Sequence, residues 1–137
     1  MENITAVILE LRQKVKFMFV PKTLEYLARG GRIARLSKLL GSAIQIKPVI
    51  TLIDGVINAS EKVRTSSRAF AKLISEAEEK ASQIKRLAVI EVDCGEEAQR
   101  FRDKLQSFYS GNIPIYSVSP VIGAHAGPDA MGIVYHT

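Results

Sequence analysis

The dipeptide Asp54-Gly55 is the feature that most limits what this chain can fold into. It lies between two apolar, β-branched runs, 46–53 and 56–59, and Asp-Gly in that setting predicts a tight β-hairpin. Because a hairpin joins antiparallel strands, at least part of the sheet must be antiparallel.

Beyond this hairpin the chain alternates between helical and extended patterns. The 137 residues suit one domain with one core. We expect an α/β fold of the α+β type, with helices packed on the faces of a mixed, largely antiparallel sheet. Apolar spacing predicts helices over 2–14, 22–28, 33–44, 65–83 and 95–109, and strands over 15–20, 87–92, 113–121 and 130–135.

The single cysteine, Cys94, rules out a disulfide within the chain and suits a reducing cytoplasm. No apolar run approaches the ~20 residues of a membrane span. The N-terminus also lacks the charged and apolar regions of a secretory signal. A metal site is not expected, because His125, His136 and Cys94 offer too few ligands. We expect a cytoplasmic protein without a cofactor.

Positive charge is concentrated in residues 22–72, which carry ten Lys/Arg residues against three acidic residues. Such a basic face favours an acidic partner, because clustered charge steers encounter. Within it, Arg29 and Arg32 flank two glycines, and Arg64 and Arg68 lie at the expected start of a helix. Each pair either binds an anion or is solvated surface.

His125 stands between two apolar runs, with Gly123 and Gly127 two residues to either side. We expect a loop between strands that presents the imidazole and amide N–H groups to a small polar head group. A tight hairpin, whose histidine merely bonds a neighbouring loop, is the alternative.

A run of apolar side chains follows the basic glycine turn. It is either ordinary core or one wall of a cavity for an apolar ligand. Its members include Leu40, Ile44, Ile46, Val49 and Ile50.

Together these segments resemble the DegV family, and they follow the family's order. The resemblance covers most of the chain and matches the family's C-terminal domain. We therefore expect residues 1–137 to be a single DegV-like, lipid-binding C-terminal domain, with the family's N-terminal α/β domain absent. The matching segments are 23–33, Leu40-Gly41, 46–50, Asp54-Gly55, 63–65 and 121–128.

This resemblance implies fatty-acid binding without catalysis. DegV proteins are bacterial proteins that hold one long-chain fatty acid between their two domains. Some present its carboxylate to a fatty acid kinase, which makes an acyl phosphate for phospholipid synthesis. By position, the resemblance assigns the carboxylate to His125, Gly123 and Gly127, the acyl chain to Leu40, Ile44, Ile46, Val49 and Ile50, and kinase docking or phosphate attraction to Arg29, Arg32, Arg64 and Arg68.

Three alternatives stay open. The basic 22–72 face could serve a nucleic-acid or protein interaction module, although it lacks interleaved aromatics and the C-terminal half is acidic. A minor hydrolase could use His125 with Ser117 or Ser119, although no Gly-x-Ser-x-Gly motif is present. For a fatty-acid-binding domain, half a tunnel exposes an apolar face, which favours a homodimer or association with a separate N-terminal domain.

Overall fold

A computed structural model gives the fold at residues 3–33, 36 and 46–137. Most of the helix expected over 33–44 lies outside these residues. The described helices are α1 (Ile4–Lys14), α2 (Glu25–Arg29), α3 (Ser66–Glu79), α4 (Gly95–Gln106) and α5 (Pro120–Ala126). The described strands are β1 (Val15–Val20), β2 (Lys47–Ile53), β3 (Val56–Val63), β4 (Arg86–Glu91), β5 (Ile115–Ser117) and β6 (Met131–His136).

These strands form one six-stranded sheet in the order β3-β2-β1-β6-β4-β5. All neighbours run antiparallel except β4 and β5, which are parallel and are joined through α4. A parallel pair needs a crossover of this kind, because its connection must return along the length of the sheet. The expectation of a mixed, largely antiparallel sheet with helices on its faces is confirmed.

The Asp54-Gly55 hairpin is also confirmed. Strands β2 and β3 close on the pair Ile53 and Val56. Asp54 and Gly55 both adopt left-handed backbone, with φ of 51° and 77°. Two consecutive left-handed residues are typical of the type I′ turn that matches the twist of a hairpin.

Helices α3 and α4 cover one face of the sheet and enclose the larger core. Thr65 caps α3 by accepting a hydrogen bond from the Arg68 amide at 3.3 Å. Each helix is a few residues shorter than expected, but the apolar stripe is the expected one. The buried residues of the two helices are Ala69, Leu73, Ala77, Ala98, Phe101 and Leu105.

Among the described residues, the opposite face of the sheet is covered by shorter helices. Phe19 and Ile50 are buried there against Leu27 of α2 and Ala126 of α5. These two helices are only five and seven residues long. Helix α1 buries none of its residues. Leu36 is fully buried in the same cluster.

The strand expected over 113–121 was wrong beyond Ser117, where β5 ends after three residues. Helix α5 begins at Pro120 instead, since proline suits the first turn of a helix, where its missing N–H has no partner to lose. His125 consequently lies on a helix and not in a loop between strands.

Candidate functional site

An apolar pocket lies beside α5, on the face of the sheet that α2 and α5 cover. Phe17 and Phe19 of β1 line it together, because alternate residues of a strand point to the same face. Ile90 of β4 continues the floor, and Ile122 and Ala126 of α5 form a wall. The pocket holds about 240 Å³ of empty space, part of it open to solvent.

Bare backbone at Gly132 separates two of the side chains that line this floor. Gly132 is the register partner of Phe19 on one side and of Ile90 on the other. A Cβ at Gly132 would lie 2.2 Å from the Met18 carbonyl oxygen and 2.6 Å from the Phe19 Cβ. The close approach of β1 and β6 at this point therefore requires glycine.

Helices α2 and α5 interlock through two glycines. The His125 ring packs on Gly30, where a Cβ would lie 2.0 Å from the imidazole Nδ1. The Tyr26 ring packs on Gly127, where a Cβ would lie 2.4 Å from the ring Cδ2. Each helix thus places an aromatic ring against a glycine beside the other helix. This arrangement fixes the position of His125 relative to the pocket.

The Nδ1 atom of His125 is buried and has no hydrogen-bond partner in the described part of the chain. A proton on that nitrogen would be a buried donor aimed at the Gly30 backbone. A lone pair there instead meets a Cα–H group, which is a weak attraction. The arrangement favours the tautomer that carries its proton on Nε2, leaving that nitrogen as the donor.

The expected amide donors do not join this imidazole. The Gly123 amide donates to the Ser119 carbonyl at 3.0 Å, and the Gly127 amide donates to the Gly123 carbonyl at 2.8 Å. Both amides are used by the α5 backbone because this segment is helical. Gly123 and Gly127 therefore do not present free N–H groups to a head group, and Gly127 instead accommodates the Tyr26 ring.

A buried carboxylate organises the end of β4. Glu91 is 4% exposed, and its Oε2 accepts a hydrogen bond from the Cys94 amide at 2.8 Å. The Ser117 hydroxyl donates to the other carboxylate oxygen. Ser117 is thus paired with Glu91 and not with His125, which is the pair that a hydrolase using Ser117 would need. Burial raises the pKa of the Cys94 thiol.

The residues expected to wall an acyl chain are divided between two places. Ile50 and Ile46 belong to the apolar cluster under α2 and α5. Val49 belongs to the larger core beneath α3 and α4. Val49 therefore does not share a wall with Ile50, because neighbouring strand residues point to opposite faces. Leu40 and Ile44 lie outside the described residues.

Sequence reasoning missed the residues that line the pocket. Phe17 and Phe19 carry a readable signal, since large side chains at alternate positions of an apolar run predict one lined face. Ile122 falls in the loop expected after the 113–121 strand, and Pro120 is the one signal for the helix that carries it.

The four candidate arginines lie at the ends of two helices that pack on opposite faces of the sheet. Arg29 and Arg32 lie at the end of α2, where Arg29 pairs with Glu25 at 2.5 Å. Arg64 and Arg68 lie at the start of α3, whose buried residues face the other side of the sheet. The described part of the basic 22–72 segment therefore contributes to elements on both faces of the sheet, and its role as an interaction surface stays a prediction.

Two kinds of feature are not found within residues 3–33, 36 and 46–137. No helix there is long and apolar enough to span a membrane. No three histidine, cysteine or carboxylate side chains converge there in a way that could hold a metal ion.

Comparison with known proteins gives consistent matches along the whole chain. A family model described as "Uncharacterised protein, DegV family" matches residues 1–137. A DegV domain-containing protein of Clostridium acetobutylicum is 34% identical over 130 residues, which are 93% of this chain and 46% of that protein. The chain spans about half the length of the curated relatives it matches.

Solved structures show the same fold. A fatty acid binding DegV family protein from Streptococcus agalactiae aligns with a TM-score of 0.86 and 26% identity, over 97% of this chain and 48% of that one. DegV of Bacillus subtilis, described as a fatty acid binding protein, aligns with a TM-score of 0.83 and 30% identity, over 99% of this chain and 50% of that one. Because the family model matches residues 1–137 and the fold is shared with these structures, this chain belongs to the DegV family.

Proposed function

We propose that this domain binds a long-chain fatty acid, with the hydrocarbon chain in the apolar pocket and the carboxylate at His125. The observation that carries the proposal is the placement of an apolar pocket beside one polar side chain on α5. Ala126 lines the pocket and directly follows His125. A ligand with an apolar tail and an anionic head suits that arrangement. The fatty acid binding described for the B. subtilis and S. agalactiae relatives supports it.

The size of the pocket indicates that this domain buries only part of such a ligand. That 240 Å³ includes open solvent, and the cavity itself is about 20 Å³, far below the ~300–1,000 Å³ of typical ligand sites. Each buried CH₂ contributes about 0.8 kcal/mol, so an acyl chain covered on one side gives up much of its affinity. We expect binding by this domain alone to be weak.

A second domain or a second protein chain is needed to cover the rest of the acyl chain. Val121 and Ile122 are 73% and 45% exposed on α5, beside the pocket. Exposed apolar side chains next to an open pocket favour an apolar partner surface. We propose that a DegV N-terminal domain provides that surface, and that a homodimer is the alternative occupant.

Two arginines lie near the proposed position of the carboxylate. Arg29 and Arg32 lie beside Gly30, against which the His125 ring packs. Their exposed guanidinium groups would attract an anionic phosphate or an acidic surface near the head group. We propose that a fatty acid kinase docks at this end and phosphorylates the presented carboxylate, and that the domain itself acts only as a carrier. Ser66 and Ser67, which lie between Arg64 and Arg68, line a second pocket together with Lys22 and Asp129, so this pair of arginines stays a candidate for the same role.

The test is a titration of the purified chain with ¹³C-carboxyl palmitate, followed by NMR of the carboxyl carbon. Ile122→Glu introduces a charge into the pocket wall and is expected to abolish binding. Ile4→Glu introduces the same charge at an exposed isoleucine of α1 that does not line the pocket, and is expected to bind as the wild type does. Equal affinity in the two variants would place the acyl chain elsewhere. No binding by the wild type, with or without an added N-terminal domain, would overturn the proposal.

A further inference from the structure

We propose that Gly30 is the positioning residue of the site, because its missing side chain fixes His125 as an Nε2–H donor toward the head group. This inference rests on the proposed function and adds a residue that touches no ligand. Gly30 acts through the imidazole that packs on it.

The backbone conformation of Gly30 does not itself require glycine. Its φ of −76° and ψ of 1° are open to any residue. Gly31 differs, since its φ is +70° and no atom lies within 4 Å of the position of a Cβ. The backbone turn therefore requires glycine at position 31, whereas the contact with the His125 ring requires it at position 30. A Cβ at Gly30 would lie 2.0 Å from Nδ1, 2.8 Å from Cε1 and 3.2 Å from Cγ of the His125 ring.

The contact surface at Gly30 is held from several directions. Its amide donates to the Tyr26 carbonyl at 2.9 Å, and its carbonyl accepts from Arg32 Nη1 at 2.7 Å. The Tyr26 ring in turn packs on Gly127, two residues beyond His125. Because these hydrogen bonds hold the Gly30 backbone in place, a methyl group added at Gly30 displaces the imidazole more readily than the backbone.

Displacing the imidazole also changes its chemistry. In the present contact Nδ1 is buried against Gly30 and lacks a hydrogen-bond partner among the described residues. The proton is thereby favoured on Nε2, which can donate to a carboxylate. A ring moved by alanine exposes Nδ1 to water and removes this preference.

The experiment compares Gly30→Ala with Gly95→Ala, which adds the same methyl group where nothing lies within 4 Å. Imidazole ¹⁵N–¹H NMR of the free proteins reports the tautomer of His125, and palmitate titration reports affinity. We expect the Nε2–H pattern in the wild type and in Gly95→Ala, and a mixture of tautomers in Gly30→Ala. We expect Gly30→Ala to weaken palmitate binding by about tenfold to a hundredfold, the range of a hydrogen bond to a charged group.

A double variant separates positioning from simple damage to the fold. If Gly30 acts through the imidazole, Gly30→Ala has no further effect on affinity in a His125→Ala background, because the clash and the donor are both gone. An additive loss would overturn the proposal, as would an Nδ1–H pattern in the wild type or an unchanged spectrum in Gly30→Ala. If no form binds palmitate, the proposed function fails, and the imidazole spectra still decide the role of Gly30.

Discussion

Replacing Gly132 with alanine should destabilise the protein at the centre of its sheet. The new Cβ would lie 2.2 Å from the Met18 carbonyl oxygen and 2.6–2.7 Å from the Phe19 Cβ and Cα. To restore ordinary contacts of about 3.5 Å, β1 and β6 must separate locally by roughly 1 Å. These atoms belong to backbone or lie next to it, so no side-chain rotation relieves the overlap. We expect a loss at the upper end of overpacking costs, about 3 kcal/mol.

Thermal unfolding followed by circular dichroism measures this loss. For a chain of this size, about 3 kcal/mol corresponds to a fall of roughly 12 °C in Tm. Gly95→Ala is the matched control, because its methyl group points into open space at the start of α4. It should leave Tm unchanged or slightly raised. A Gly132→Ala protein that melts within about 3 °C of the wild type would refute the packing argument.

Two further predictions concern titratable groups. The Tyr135 hydroxyl donates to Glu76 at 2.9 Å. Partial burial raises the pKa of Glu76, but hydrogen bonds from Lys80 and Tyr135 outweigh it and leave the pKa below the ordinary 4.5. Tyr135→Phe should therefore lower the free energy of unfolding by about 1.5 kcal/mol at pH 7, measured by urea unfolding. This loss should shrink as the pH falls below 4.5, because the Glu76 carboxylate becomes protonated. A loss that is independent of pH would contradict this. Cys94 should react with a thiol reagent far more slowly than free cysteine at pH 8, since burial raises its pKa, and a rate equal to that of free cysteine would show that the thiol is accessible.

The sheet and its helices could be predicted because local signals and global packing agree. The Asp54-Gly55 turn fixes one antiparallel pair through its own backbone conformation. The apolar stripe of α3 identifies the face that contacts the sheet. Such features depend on residues close in sequence.

The site was harder to predict because it depends on residues far apart. Nothing near His125 in the sequence indicates that its ring packs on Gly30, which is almost a hundred positions earlier. The apolar run around Ile122 also fits a strand or a helix, and only Pro120 favours the helix that forms. The assignment of His125 to a carboxylate came from family resemblance and stays a prediction.

The central position of β6 has a consequence for how the chain folds. Its residues pair with β1 on one side and β4 on the other, including His136 with Val15. That contact closes a loop of about 120 residues, so the middle of the sheet depends on a highly non-local pairing. During synthesis on the ribosome, β1 and the β2–β3 hairpin emerge long before β6. Until β6 emerges, the edge of β1 that pairs with it stays unpaired. Deletion of β6 would leave two separate groups of strands, and an unfinished chain should be a better target for chaperones than a completed one.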